Sequence, residues 1–210
     1  MNMGGPPDAE KRATLRQFAA AGAAVPFLSM GVQGARDDEQ DEPDRRAAIH
    51  GYVHSHPGIH FSALRDDLEL GTGETQYHLR RLREAGAIES ERDGEYRRLF
   101  LAGRFDEFEK RALGYLRRDT PRGMLVRLLS DPTISPSELA EELDVSRAAI
   151  SQTAARLDEA GLLSRESGYT PRRPAVMISL LLRYAESFDE ETVRFADTAS
   201  TVLSWDPEQA

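Results

Sequence analysis

The chain has no cysteine in 210 residues, and only Lys11 and Lys110 among its 27 basic residues are lysine. Without thiols there is no disulfide, no thiolate zinc site and no thiol catalysis, which suits a reducing cytoplasm. A catalytic constellation is also missing. Gly71-Thr72-Gly73 lacks the spacing and the lysine of a phosphate loop, no serine sits in a Gly-x-Ser-x-Gly elbow, and the carboxylates form runs without an acid/base pair. The chain is therefore expected not to be an enzyme and to carry no cofactor, and no small-molecule ligand is evident.

Long apolar runs are absent apart from Phe18 to Val32, which Gly22, Pro26 and Gly31 interrupt. That run is short of the roughly 20 residues needed to span a bilayer. Lys11, Arg12 and Arg16 precede it in the manner of an export signal, and TLRQFA is one substitution, at Leu15, from a twin-arginine pattern. The expectation is a flexible N-terminal arm over 1–44 that ends in the acidic linker ARDDEQDEPD, on a cytoplasmic protein. A membrane-tethered form is the alternative.

Net charge is −9, which argues against a nucleic-acid partner until the charge is located. Residues 1–44 hold eight acidic against four basic side chains, and residues 175–210 seven against two. Residues 45–104 reverse the balance, with ten basic against nine acidic. The acidity sits at the two ends, and the body keeps room for a basic face. The acidic, arginine-based composition resembles that of proteins from salt-loving archaea, where carboxylates keep the surface hydrated.

What the chain does have is a repeat. Ser62, Leu64, Leu68, Leu82, Glu84, Ala85, Gly86 and Glu91 recur 75 residues later, without a gap, as Ser137, Leu139, Leu143, Leu157, Glu159, Ala160, Gly161 and Glu166. A repeat fixes the unit that folds. In the first copy, Ala48, Ile49, Tyr52 and Val53 make one helical stripe ended by Pro57-Gly58. A second helix, FSALRDDLEL, is entered through Ser62, and a third, ETQYHLRRLREAG, is closed by Gly86. The segment AIESERDGEYRRLFLA then predicts a hairpin with Asp93-Gly94 at its turn. Three helices and a hairpin are a winged helix.

The second copy gives PRGMLVRLLSDP, SPSELAEELD and VSRAAISQTAARLDEAG, with Ser146 as N-cap, and a long proline-rich wing, LLSRESGYTPRRPAVMISL. A helix carrying Phe105, Phe108, Ala112 and Leu116 on one side joins the copies, and the tail reads as one or two amphipathic helices suited to dimerisation. The predicted fold is mainly α with small β wings. Its expected divisions are an arm 1–44, a winged helix 45–104, a connecting helix 105–118, a second winged helix 119–182 and a helical tail 183–210.

On the third helix of the first unit, Thr75, Leu79 and Leu82 face the core, leaving Gly73, Tyr77, Arg80 and Arg81 outward with Gln76 and His78 at the flanks. Base edges are read by such long hydrogen-bonding groups, so Gln76, Tyr77, Arg80 and Arg81 are candidate major-groove contacts. Arg92, Arg97 and Arg98 in the wing suit phosphates or a narrow minor groove. In the second unit Ile150, Ala154 and Leu157 take the core side. Arg147, Ser151, Gln152 and Arg156 then lie outward, with Arg165, Arg172 and Arg173 in the wing. Two alanines, Ala148 and Ala155, stand where the first unit has Gly73 and Arg80, so this copy stays open between DNA contact and a packing or partner role.

HPGIHFSALRDDLELGTGETQYHLRRLREAGAIES, the Asp-Gly wing and YRRLFLAG together resemble the tandem winged-helix regulators common in halophilic archaea, over residues 45 to about 176. That resemblance implies sequence-specific transcription regulation on double-stranded DNA. A homodimer is the expected form, and a tandem winged-helix protein-interaction module is the alternative function. All five histidines, His50, His54, His56, His60 and His78, fall in the first unit. With no cysteine beside them, no metal site is expected.

Overall fold

A computed structural model describes residues 38–202 of the chain, with side chains from 42 to 199. The apolar run Phe18 to Val32 lies outside the described residues, as does the end of the tail. Among those described, nine α-helices and two small antiparallel sheets make a mainly helical protein. The chain divides after Arg104 into two compact units.

The first unit runs α1 (Asp38–Ser55), β1 (Ile59–His60), α2 (Phe61–Asp67), α3 (Thr72–Glu84), β2 (Ile88–Asp93) and β3 (Tyr96–Leu101). Helix α1 starts inside the acidic stretch expected to be linker and carries Pro43 within it. Its stripe is placed as the periodicity requires, with Ala48, Ile49 and Val53 fully buried and Tyr52 nearly so. Helix α2 is capped by His60, whose Nδ1 accepts from the Ala63 amide at 3.2 Å, and not by Ser62. The helix therefore begins two residues earlier than a Ser62 cap would set it.

Three strands form a sheet in the order β1-β3-β2, with Ile59 opposite Leu99 and Ile88 opposite Leu101. Asp93 pairs with Tyr96, so the two-residue loop is Gly94-Glu95 rather than Asp93-Gly94. Only Gly94, at φ 62°, needs the left-handed region, as a loop with glycine first demands. The core joins Ile49, Val53, Leu64, Leu79, Leu82, Ile88 and Leu99 across all three helices and the sheet.

The second unit runs α4 (Glu107–Leu116), α5 (Asp119–Ser130), α6 (Pro136–Glu142), α7 (Arg147–Glu159), β4 (Leu163–Ser164), β5 (Thr170–Pro171), α8 (Pro174–Tyr184), a 3-10 turn (Ala185–Ser187) and α9 (Glu190–Val202). Its wing is far shorter than the proline-rich segment suggested, with two residues per strand. Pro174 opens a helix at its first turn, where the missing N–H costs nothing, and so ends the wing. The apolar side of α4 is buried through Phe108, Ala112 and Leu116, with Phe105 buried just ahead of the helix.

The repeat has a concrete meaning at its helix ends. In α3 the Ala87 amide bonds the Leu82 carbonyl at 2.9 Å and the Gly86 amide that of Arg83 at 3.0 Å; in α7, Leu162 bonds Leu157 at 2.8 Å and Gly161 bonds Asp158 at 2.9 Å. Both are Schellman endings, with Gly86 and Gly161 at φ 67° and 72°. The turn after α2 and that after α6 close the same way, with Glu69 and Asp144 at φ 51° and 49°. Those two non-glycine residues hold the left-handed conformation at equivalent places.

Candidate nucleic-acid interface

Helix α3 is positioned by its buried side. Thr75 is fully buried and gives its hydroxyl to the Gly71 carbonyl at 2.9 Å, and Leu79 and Leu82 enter the core. His78 is buried too, at 3% exposure, so it belongs to the core side and not to the flank of the outward face. Its Nδ1 has no hydrogen-bond partner among the described residues, and its ring meets Tyr77 edge-on at 5.3 Å. Burial, and then the Arg46 charge, push the His78 pKa below its ordinary value, against the pull of Glu74 and Glu42.

The opposite side of α3 and the wing form an open cleft of about 530 Å³. Phe61, Leu79 and Leu99 make its apolar floor, and Gln76, Tyr77, Arg80, Arg83 and Arg97 its polar walls. Sequence reasoning placed Gln76, Tyr77, Arg80 and Arg97 at the interface, and the fold brings these four together. Arg83 was missed. The signal was available, since residues 76, 80 and 83 follow the i, i+4, i+7 stripe of one helix face.

Tyr77 stands between Arg80 and Arg81, each guanidinium carbon 5.8 Å from its ring centroid. Both arginines reach Glu84 only at long range, 3.9 and 3.7 Å, and stay more than half exposed. Arg81 does not line the cleft. In the wing, Arg92 and Arg97 lie directly opposite across the strands, and neither has an ion pair among the described residues. Like charges directly opposite across a ladder repel, and Arg92 Nε donates to the Gly94 carbonyl at 3.3 Å.

Arg98 does not serve the interface expected of it. Its side chain is 4% exposed, ion-paired to Asp93 at 2.7 Å, and donates to the Gly58 carbonyl at 3.0 Å. Strand β1 pairs with β3 here, His60 opposite Arg98; His60 stacks on Tyr96 at 4.9 Å and the Arg98 guanidinium lies 5.7 Å from the same ring. Arg98 fixes the wing from behind.

In the second unit Arg147, Ser151, Gln152 and Arg156 are exposed along α7. The wing arginines are engaged. Arg172 donates to the Leu163 carbonyl at 3.1 Å. Arg173, at φ 48°, pairs with Asp106 at 3.0 Å and lies 4.6 Å from the Phe108 ring centre, so it fixes the wing exit and is not free for phosphate. Arg165 is exposed. No group of three or more metal-binding side chains exists among the described residues, and no described helix is long and apolar enough to cross a membrane.

Residues 43–113 match the family described as an N-terminal HTH (helix-turn-helix) domain, and residues 111–174 match the MarR family. No curated protein and no solved structure matches the chain. The two matched segments, both of regulatory DNA-binding type, follow one another along the two winged helices. The chain is a DNA-binding transcriptional regulator of tandem winged-helix form.

Proposed function

We propose that the first winged helix is the sequence-specific reader, with α3 in the major groove and the wing tip on the adjacent backbone. The observation that carries this is the cleft where Gln76, Tyr77, Arg80, Arg83 and Arg97 converge on one side of α3 and β3. Glutamine and arginine supply bidentate partners for adenine and guanine edges, and the apolar floor accepts sugar or a thymine methyl. Arg92 and Arg97 receive phosphate, and Arg81 lies beside the cleft for a backbone contact. The second winged helix supports binding through Arg147, Ser151, Gln152 and Arg156, with fewer long side chains. Two copies of the chain, paired through the terminal helices, would present two readers to a two-fold target. In a gel shift, Arg80→Ala with Arg81→Ala should abolish most operator binding with thermal unfolding unchanged. Retained binding by that double variant would overturn the assignment.

A further inference from the structure

The wing reaches beyond its supporting strand. Strand β1 pairs with β3 only at Ile59 and His60, opposite Leu99 and Arg98, so the tip from Arg92 to Arg97 has only the two-stranded ladder. Two strands alone are marginal in water, and Arg92 directly opposite Arg97 adds a like-charge pair that weakens the tip further. Side chains alternate along a strand, so Arg97 shares the Leu99 face, toward the cleft, while Arg98 and Asp93 take the other. On that other face one guanidinium spans from base to tip. The buried Arg98 donates from Nε to the Asp93 carboxylate at 2.7 Å and from a terminal nitrogen to the Gly58 carbonyl at 3.0 Å. Gly58 is itself fixed, its amide on the Leu99 carbonyl at 2.9 Å.

We infer that Asp93 and Arg98 are positioning residues for DNA binding: their buried pair holds the wing tip so that Arg92 and Arg97 meet the phosphate backbone together, which sets the sequence-independent part of the affinity. This rests on the first winged helix being the DNA reader. Arg98 is a planar fork with two fixed partners, so little freedom is left to the strand that carries it. Without Asp93 the guanidinium keeps Gly58 but loses the tip, and the two repelling cations can splay apart. Helix α3 keeps its place through Thr75, Leu79 and Leu82, so base reading is untouched.

Asp93→Ala in the full chain, titrated at several salt concentrations against a duplex selected by the wild type and against a random one, separates this role from simple charge. Deleting a carboxylate near phosphate should by itself tighten binding. Lost positioning should instead weaken both duplexes by the same factor and flatten the salt slope by about 1.8, for two contacts at about 0.9 each. An about fourfold rise in salt should then cost the wild type about 12-fold more affinity than the variant. With Arg92→Ala and Arg97→Ala already in place, Asp93→Ala should weaken binding no further, since no wing cation is left to position. Should Asp93→Ala melt below the assay temperature, Asp93→Asn, whose neutral acceptor bonds Arg98 more weakly, should show the same changes at smaller size. Tighter binding, an unchanged slope, a loss confined to the selected duplex, or a full further loss in the arginine-free wing would each overturn the inference while DNA reading stands. A wild-type chain that selects no duplex removes the DNA-reading assignment and this inference with it.

Discussion

The two winged helices share a skeleton and differ in what they leave free. Leu64, Leu82, Leu139 and Leu157 are all 1% exposed or less, and both third helices end in the same Schellman geometry. In the first unit, however, Arg80, Arg83 and Arg97 stand around a cleft, whereas in the second Arg172 and Arg173 are bound to the chain itself. The repeated residues are those that specify the fold, and the two units differ in the side chains they leave at the surface.

The shared part of this comparison is broken most forcefully at the repeated core. Leu82→Ala and Leu157→Ala each empty a fully packed site and should each cost about 2–5 kcal/mol, read by denaturant unfolding. A small loss at one position only would show that the two cores are not equivalent.

The second unit has a clasp without a counterpart in the repeat. Arg122, 8% exposed, binds Asp189 at 2.5 Å, Asp119 at 2.9 Å and the Leu116 carbonyl at 2.9 Å. Asp189 also accepts from the Thr192 amide at 2.8 Å and its hydroxyl at 2.6 Å. Asp189→Ala should cost about 1.5–3 kcal/mol, because it leaves a buried guanidinium short of its main partner. An unchanged midpoint in chemical denaturation would assign the anchoring of α9 to Phe195 and Ala199 alone.

Acid should separate the units as well. Burial lowers the pKa of His50, His54, His60 and His78, with the His54, Arg104, Arg98 and Arg46 charges respectively adding to it. The unfolded chain then binds more protons than the folded one, so stability rises with pH and is lost as pH falls through the unfolded value near 6.5. Burial opposes the charged form of Asp189, but Thr192 and Arg122 prevail and lower its pKa. Its contribution is present above the ordinary value near 3.9 and fades only below it. Between about pH 7 and 5 the wild-type thermal midpoint should therefore drop, and His78→Gln should shrink that drop while Asp189→Asn should not. An equal drop in the wild type and His78→Gln would count against His78.

The smallest expected effect is a gain. Glu69→Asn and Asp144→Asn should each stabilise by up to about 1 kcal/mol, since asparagine tolerates the left-handed region better. A gain at one turn and a loss at the other would break the equivalence of the two turns.

Local chemistry was legible in the sequence and long-range chemistry was not. The stripes of α1 and α3, the Ser146 cap and the Gly86 and Gly161 endings depend on neighbours within a turn or two. The burial of Arg98 depends on Gly58, 40 residues away, and on a two-residue strand too short to carry a pattern. The long second wing failed for a related reason. The wing expected over 162–180 stops short because Pro174 stands at the start of a helix whose Met177, Leu180 and Leu181 enter the core. Arg83 lies about 120° round α3 from Tyr77, at the other edge of the cleft, and so outside an outward face centred on Tyr77.

The division of labour between the units is tested most directly by titrating a selected duplex with the full chain at fixed salt, followed by fluorescence anisotropy. Arg80→Ala with Arg83→Ala should weaken binding about 100-fold or more, as expected for two lost base contacts, whereas Gln152→Ala with Arg156→Ala should weaken it by less than about threefold. Equal losses in the two pairs, or the larger loss in the second, would contradict the account.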